Sequence, residues 1–448
     1  MDKIFEQRRK RFFHKLASMG ESIAVIPAHP ELIRNDDVHF SFRQDSSFFY
    51  LTGFHEPDSI AVFSTVGGKS EYIIFVRPKD LEKEIWTGYR LGVDAAPKEL
   101  GANRAYLLDE FDKVFPKLLN GAENVLYSFY RTLNRNGVEY LDEKILRLVN
   151  EHRVSRGRTG QGIQKICDLF ELLGELRVVK SDEEIEALRK AASISANAHK
   201  ELMQYCKPGL LESEIEALFD FYCRTRGSKR NGYGSIVASG VNATILHYVD
   251  NDKKLKDGDL LLVDAGAEFN HYTADITRTF PINGKFSAEQ KEIYQIVLDV
   301  QKQCVAMAKP GATMRSIHEF AVSELTDAMI KLKFIKDTKK KAIESLGYKR
   351  YYPHGTGHYL GLDVHDCGLY SKQNEPRKLE PGMVFTIEPG FYVLFDDMQV
   401  PEKYRGIGVR IEDDILITQD GHEVLTKEVP KEASEMASLI GTKKWPIL

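Results

Sequence analysis

Residues 260–280 read LLLVDAGAEFNHYTADITRTF, and the reading of this stretch decides the fold around it. Leu260 to Val263 is an apolar run entered from Gly258, the pattern of a strand buried on both faces. Ala265, Gly266 and Ala267 lead into Glu268-Phe269-Asn270-His271, a tight turn. Tyr272 to Phe280 then returns with aromatic and β-branched residues at strand frequency. A turn centred between Phe269 and Asn270 puts Asp264 directly opposite Asp275, on the face shared by Gly266 and Thr273. Facing β-carbons in an antiparallel pair lie about 4.5–5.5 Å apart. Two like charges at that spacing, beside an apolar run, are destabilising unless something positive lies between them. A pair of divalent cations would supply that charge. Taken alone, an Asp pair in a hairpin also fits a turn or surface feature, so the rest of the chain has to decide.

Four further stretches bear on it. His354-Gly355-Thr356-Gly357-His358 is followed by Gly361-Leu362-Asp363-Val364-His365-Asp366. Histidines four apart suggest one helix face, but the two glycines argue for a loop or extended segment. Thr386-Ile387-Glu388-Pro389-Gly390 puts a carboxylate at the end of the apolar run from Met383 to Ile387. Gly408 to Ile417 reads as one strand whose alternation sets Arg410 and Glu412 on the same face. Ile245-Leu246-His247-Tyr248 adds another histidine. Each stretch singly has a bland reading: a hydrogen-bonded core histidine, a turn-capping Glu388, a simple Arg410–Glu412 pair. Together they collect two Asp, two Glu and a His near apolar strands in one half of the chain. Oxygen-rich ligation with one imidazole suits Mn²⁺, Co²⁺ or Zn²⁺ in a two-metal hydrolytic site better than a thiolate-bound structural zinc. Four carboxylates also balance two divalent cations in charge.

At 448 residues the chain calls for two domains. Hydrophobic content of 42% with 29% charged residues is that of a soluble globular protein. The balance of 62 Lys and Arg against 66 Asp and Glu, a net charge of −4, argues against general attraction to nucleic acid or anionic membrane. No apolar run approaches membrane-spanning length, and MDKIFEQRRKRFF carries no signal-peptide core. The cluster Arg8-Arg9-Lys10-Arg11 reads as the solvated face of an N-terminal helix. Cys167, Cys206, Cys223, Cys304 and Cys367 lack C-x-x-C spacing and read as reduced thiols, placing the protein in the cytoplasm.

Residues 1 to about 150 mix strands (Ser22 to Ile26, Ile60 to Phe63, Glu71 to Val76) with helices at Leu141 to Val149 and, interrupted by Pro116, at Asp112 to Leu119. The aromatic segment Ser41 to Phe54 reads as core packing of an α/β domain. HRVSRGRTGQG at 152–162 is the expected exposed connection, Lys165 to Leu176 a linking helix, and the domain boundary falls near 175. Ser181-Asp182-Glu183-Glu184 has capping-box spacing and opens a long helix. Further helices are expected at Glu212 to Arg226, Ala288 to Ala308 and Met314 to Leu332, and a glycine-rich strand entry runs from Asn231 to Val237.

DAG with an Asp eleven residues on, HGTGH, IEPG and VRIEDD resemble the metal-ligand signatures of the creatinase/prolidase metallopeptidases. FRQDSSFFYLTGFHEPDS, residues 42–59, is similar to the matching N-terminal segment of the aminopeptidase P (Xaa-Pro aminopeptidase) branch. The resemblance covers nearly the whole chain, with all five ligand motifs in order. It implies an α/β N-terminal domain over 1–175 and an α+β catalytic domain of pita-bread fold over 176–448. It implies Asp264, Asp275, His358, Glu388 and Glu412 as ligands of a dinuclear centre, usually Mn²⁺. Asp275 and Glu412 would bridge, His358 and Glu388 would hold one ion, and Asp264 would chelate the other. His354 would line the substrate pocket, and His247 and His365 match the family's substrate-contacting histidines.

The implied activity is release of the N-terminal residue from peptides with proline second. A water between two cations loses its proton near neutral pH and attacks the Xaa-Pro bond. Glu388 would take the water proton and pass it to the leaving nitrogen. His365 and His247 would stabilise the oxyanion and orient carbonyls, while Arg410 would hold the ligand shell. An Xaa-Pro bond is a tertiary amide with a fixed ring and no N–H, so its site needs an apolar slot, with Tyr351 or Tyr352 as further walls. The alternative enzyme is a prolidase, restricted to Xaa-Pro dipeptides. Methionine aminopeptidase lacks the N-terminal segment, and creatinase-type metal-free chemistry or a non-catalytic binding module would not require five intact ligands. The resemblance also implies a homodimer or homotetramer, with Trp86 either closing a neighbouring active site or packing locally.

Overall fold

The computed structural model describes residues 3–129 and 139–444. The chain divides into two compact units, Met1–Leu176 and Arg177–Leu448.

The first unit is built on a six-stranded mixed sheet. In spatial order its strands are Arg104–Leu107, Glu71–Val76, Ile60–Ser64, Ser22–Pro27, Asn124–Leu126 and Lys165–Cys167. Ile60–Ser64 runs antiparallel to both its neighbours, and the remaining pairs are parallel. Every residue of Ser22–Pro27 and Ile60–Ser64 is buried, which is why these strands read as continuous apolar runs. In the aromatic segment, Asp45 accepts from the Phe48 N–H and Gly53 ends the helix Ser46–Thr52 at φ 65°. Three expectations change here. Lys165–Cys167 pairs as the sheet's edge strand, and only Phe170–Arg177 of the expected linking helix is helical. The helix Glu139–Arg156 runs into the expected connection, so His152 is buried and the exposed stretch starts at Arg153. Arg8 and Arg9 are buried rather than solvated. Arg8 lies 4.3 Å over the Tyr50 ring, and Arg9 donates to the Leu51 carbonyl at 2.9 Å. The carbonyls at the C-terminal end of Ser46–Thr52 attract cations. Trp86, in the helix Leu81–Thr87, is 87% exposed, so local packing does not account for it.

The second unit packs long helices against small antiparallel sheets. Ser181 and Glu184 form the capping box that opens Asp182–Tyr205, and Glu212–Thr225, Ala288–Met307 and Met314–Lys331 follow close to the expected bounds. One sheet orders Ile236–Ser239, Leu260–Asp264 and Thr277–Pro281. A second orders Val384–Ile387, Asp413–Ile417 and His422–Val424, and a third pairs Gly390–Tyr392 with Gly408–Arg410.

The central hairpin forms, with its turn one residue later than expected. Asn270 and His271 carry the positive φ values, 50° and 69°, as both central residues of a type I′ turn must. Asp264 therefore faces Thr277, not Asp275. Moving a turn centre by one residue slips the partners by two, so faces are not exchanged and the two carboxylates remain on one side. Gly266 is required at the crossing, since a β-carbon there would lie 1.7 Å from the Ala274 carbonyl oxygen. The expected single strand from Gly408 to Ile417 is two strands in different sheets, broken at Ile411-Glu412. Glu412 sits at the break, where its N–H donates to the Thr277 carbonyl at 3.1 Å.

Candidate metal centre

Strand ends and one loop deliver acidic groups to a single cavity of about 550 Å³. Asp264 ends its strand and Asp275 enters from the hairpin's return arm. Glu388 follows the strand Val384–Ile387, and its N–H is fixed by the Thr356 carbonyl at 2.8 Å. HGTGH is a loop without helix, stitched to that strand: the Thr386 N–H donates to the His358 carbonyl at 2.9 Å, and the His358 N–H to Thr386 Oγ1 at 3.2 Å. Gly357 permits this approach, because a β-carbon there would meet the Thr386 carbonyl oxygen at 1.9 Å. All nine residues singled out above, Asp264, Asp275, His358, Glu388 and Glu412 with His247, His354, His365 and Arg410, line the cavity. Tyr351 and Tyr352 do not. Both are buried behind it, Tyr352 edge-on to the His354 ring and bonded to Thr356 Oγ1 at 2.7 Å.

The donor set fits divalent cations. One donor atom each from Asp275, His358 and Glu412 lie within 4.8 Å of one another. His358 Nε2 stands 3.4 Å from Asp275 and 3.5 Å from Glu388. Its Nδ1 faces the Tyr359 carbonyl at 3.1 Å; a carbonyl only accepts, so Nδ1 carries a hydrogen and Nε2 is the ring nitrogen aimed into the cluster. The Tyr233 hydroxyl sits 2.6 Å from Asp264 and 2.5 Å from Asp275, one hydrogen between two acceptors. Among the described residues that line the cavity, one guanidinium, that of Arg410, stands against the four carboxylates.

Protonation equilibria carry the mark of that excess negative charge. Burial pushes Glu388 up to about 7, beyond what the charges of His358 and Arg410 can offset. Burial and the charges of Asp275, Glu388 and Asp264 raise Glu412 far above the carboxylate range, and burial with the Asp264 charge raises Asp275. Burial works against a charged His358, but the hydrogen bond and charge of Asp275 overcome it and raise the ring to about 9. Asp264 alone is lowered: burial opposes its charge, and Arg410 and Tyr233 outweigh burial. Cations in the cluster would take the place of these protons.

Arg410 is buried beside Asp264. It donates to Asp264 Oδ2 at 2.6 Å, to Thr277 Oγ1 at 3.1 Å and to the Tyr392 hydroxyl at 3.1 Å. Tyr392 in turn meets His354 Nε2 at 2.8 Å, while His354 Nδ1 faces the Gly355 carbonyl at 2.7 Å. The carbonyl again assigns the hydrogen to Nδ1, leaving Nε2 to accept from Tyr392. Burial and the Arg410 charge hold His354 down at about 3, so the ring is neutral. The His365 ring packs edge-on at 4.2 Å from His358; desolvation, then the charges of His358 and His247, lower it to about 4.

Several participants escaped sequence reasoning. Tyr233 stands between Gly232 and Gly234, and a β-carbon at Gly232 would lie 1.8 Å from Thr273 Oγ1, so the glycine reports a close approach. Tyr392 lies two residues past Gly390 on the strand after IEPG. Thr277 donates to Glu412 at 2.6 Å. The carboxylate of Asp414 accepts from the Asp275 N–H at 3.2 Å, whereas its neighbour Asp413 pairs with Arg278 at 2.7 Å away from the cavity. The run itself does not distinguish Asp414 from Asp413.

Known proteins carry the same two parts. Residues 186–419 match the model of metallopeptidase family M24, and residues 5–127 that of the aminopeptidase P N-terminal domain. The Xaa-Pro aminopeptidase of Haemophilus influenzae is 41% identical over 97% of this chain and 96% of its own. The structure of Pseudomonas aeruginosa aminopeptidase PepP superposes with a TM-score of 0.89 at 42% identity, covering 97% of each chain. Zn-substituted Escherichia coli aminopeptidase P in complex with product does so at 0.90 and 38%, covering 99% of each. Matched over nearly its whole length, this chain belongs to metallopeptidase family M24.

Proposed function

We propose that the protein is a dinuclear-metal aminopeptidase that removes the N-terminal residue from peptides whose second residue is proline. The observation that carries this is the convergence of Asp264, Asp275, His358, Glu388 and Glu412 on one cavity, with too few protein cations to balance them. The relatives named as Xaa-Pro aminopeptidases and the near-complete coverage favour this over a prolidase.

Asp264, Asp275, His358, Glu388 and Glu412 would hold the two divalent ions, with Mn²⁺ the proposed native metal. Bound there, the ions would supply Lewis acidity toward the scissile carbonyl and a lowered pKa for water. Glu388, which lines the cavity, accepts the proton of the attacking water and returns it to the proline nitrogen. His365 and His247 orient the peptide carbonyls and offset charge on the oxyanion. Arg410 holds Asp264 in place, and neutral His354 borders the proline slot without demanding an amide hydrogen that proline lacks.

We assign residues 1–175 to an aminopeptidase-P-type domain and 176–448 to the catalytic domain, supported by the compact units meeting at Leu176 and Arg177 and by the two family matches. The protein is proposed to be cytoplasmic and a homodimer or homotetramer, with exposed Trp86 at the subunit contact. Among the described residues, no helix is long and apolar enough to cross a membrane.

Metal-stripped protein resupplied with Mn²⁺ should release the first residue from an Xaa-Pro-Xaa-Xaa peptide, and Glu388→Ala and His358→Ala should abolish it. Cleavage of Ala-Pro alone would make it a prolidase. Cleavage of neither, without metal uptake, would refute the reading.

A further inference from the structure

Glu212 opens the helix Glu212–Thr225 and is completely buried, yet none of its partners lines the cavity. Its Oε1 accepts from the Ser239 N–H at 2.7 Å, Ser239 Oγ at 2.6 Å and Asn242 Nδ2 at 3.2 Å. Its Oε2 accepts from the Tyr248 hydroxyl at 2.8 Å and the Lys253 N–H at 3.0 Å. Among the described residues no side-chain cation bonds to it. A buried carboxylate with no directly bonded cation is a costly choice for plain packing, and only a full set of donors makes it tolerable.

Those donors come from both arms of one loop. The loop leaves the strand Ile236–Ser239, which pairs with the Asp264 strand, and returns at Lys253, whose carbonyl accepts the Glu212 N–H at 2.8 Å. Leu246, His247 and Val249 at its tip line the cavity. Ile245 and Val249 are more than half exposed, and the loop's apolar anchors are Ala243 and Tyr248, which pack with Ile236, Ala238 and Leu262. One turn along the same helix face, Glu216 accepts from Asn251 Nδ2 at 3.0 Å, and Asn251 Oδ1 accepts from the Val237 N–H at 2.9 Å. A helix outside the cavity thus grips both ends of the segment that carries His247.

We propose that Glu212 is a positioning residue for the peptidase reaction, holding this loop so that His247 meets the substrate; this rests on the role given to His247 above. An amide does not substitute. Each carboxylate oxygen faces a backbone N–H, that of Ser239 or that of Lys253, and neither can turn into an acceptor, so a glutamine NH₂ would face a donor whichever way it is placed.

The test uses the full-length, metal-loaded protein. Glu212→Gln should lower kcat/KM for an Xaa-Pro-Xaa-Xaa peptide about ten- to a hundredfold, the loss expected from misplacing a substrate-orienting group by a fraction of an ångström to one ångström. In a His247→Ala background the same change should cost nothing further, since both act through one group. Hydrogen exchange should quicken across residues 240–250 and stay unchanged in the strand Leu260–Asp264. Should Glu212→Gln not fold, Tyr248→Phe, which removes one of the five donors, should show the same pattern at smaller size. Wild-type rates in the variant, a loss that multiplies fully with His247→Ala, unchanged exchange, or an innocuous His247→Ala would each overturn the proposal. Wild-type protein that cleaves no Xaa-Pro peptide would refute the functional reading and this proposal together; an active wild type with unmoved variants would refute only this one.

Discussion

Gly357→Ala puts the geometry of the metal loop to a direct test. The added β-carbon would lie 1.9 Å from the Thr386 carbonyl oxygen and 2.8 Å from its carbon, where ordinary contact begins at 3.4 Å. The shortfall, 3.4 − 1.9 Å, requires a displacement of about 1.5 Å. Thr386 cannot supply it cheaply, because it lies within the strand Val384–Ile387 and is paired with Asp414. The loop must therefore lift, taking the neighbouring His358 with it and straining both hydrogen bonds that stitch His358 to Thr386. Overpacking of this kind costs roughly 1–3 kcal/mol, which in a domain of this size lowers Tm by about 2–4 °C per kcal/mol. A catalytic ligand displaced by about an ångström costs about a hundredfold in rate. Gly355→Ala is the matched control: its β-carbon would meet nothing nearer than 3.9 Å. The assays are metal content after dialysis, thermal melting and kcat/KM on an Xaa-Pro-Xaa-Xaa peptide. Gly357→Ala should lose metal and at least a hundredfold in activity while Gly355→Ala keeps its metal and its melting temperature. Wild-type metal content and activity in Gly357→Ala, or equal damage from the control, would refute the close approach as the reason for that glycine.

Metal-free protein should lose stability as pH rises from 5 to 9. Glu388 is raised from 4.5 to about 7 and His358 from 6.5 to about 9, and a raised group stabilises fully below its unfolded pKa and loses that contribution as pH passes its folded one. Each shift corresponds to about 3 kcal/mol, Glu388 acting between pH 4.5 and 7 and His358 between 6.5 and 9. Urea melts of stripped and reloaded protein should diverge with rising pH, and metal-free stability that climbs across this range would contradict the electrostatic account. Arg410→Lys keeps the charge but cannot span Asp264, Thr277 and Tyr392 with one ammonium; metal affinity should fall about ten- to a hundredfold, read by competition with a chelator. Asp366→Asn strips the carboxylate from buried Arg177 and Lys180, which it meets at 2.5 and 3.0 Å. Breaking a buried pair this way should cost about 3–5 kcal/mol, so a variant with unchanged melting would show the cluster to be dispensable.

Much of this was legible in the chain before any coordinates. Strand alternation alone put Asp264 and Asp275 on one face, and that survived a misplaced turn because a one-residue shift of the turn slips the register by two. The capping-box spacing at Ser181 is local chemistry and marks the start of its helix, and the helices expected at Ala288 and Met314 also begin where they were placed. Periodicity and capping depend on neighbours a few residues away, which the sequence lists in order. Other features depend on partners far along the chain. The burial of Arg8 and Arg9 needed helix carbonyls some forty residues on, the break before Asp413 needed two sheets to diverge, and the grip of Glu212 on the His247 loop needed donors from Ser239 to Lys253. In Glu412-Asp413-Asp414 the sequence singled out Glu412, which lines the cavity, and only tertiary packing made Asp413 the partner of Arg278 and Asp414 the acceptor for the Asp275 N–H. Residue identity determined that the chain could hold cations. Long-range contacts decided which carboxylates face them, because the free energy of a buried charge is set by the groups that surround it rather than by its neighbours in sequence.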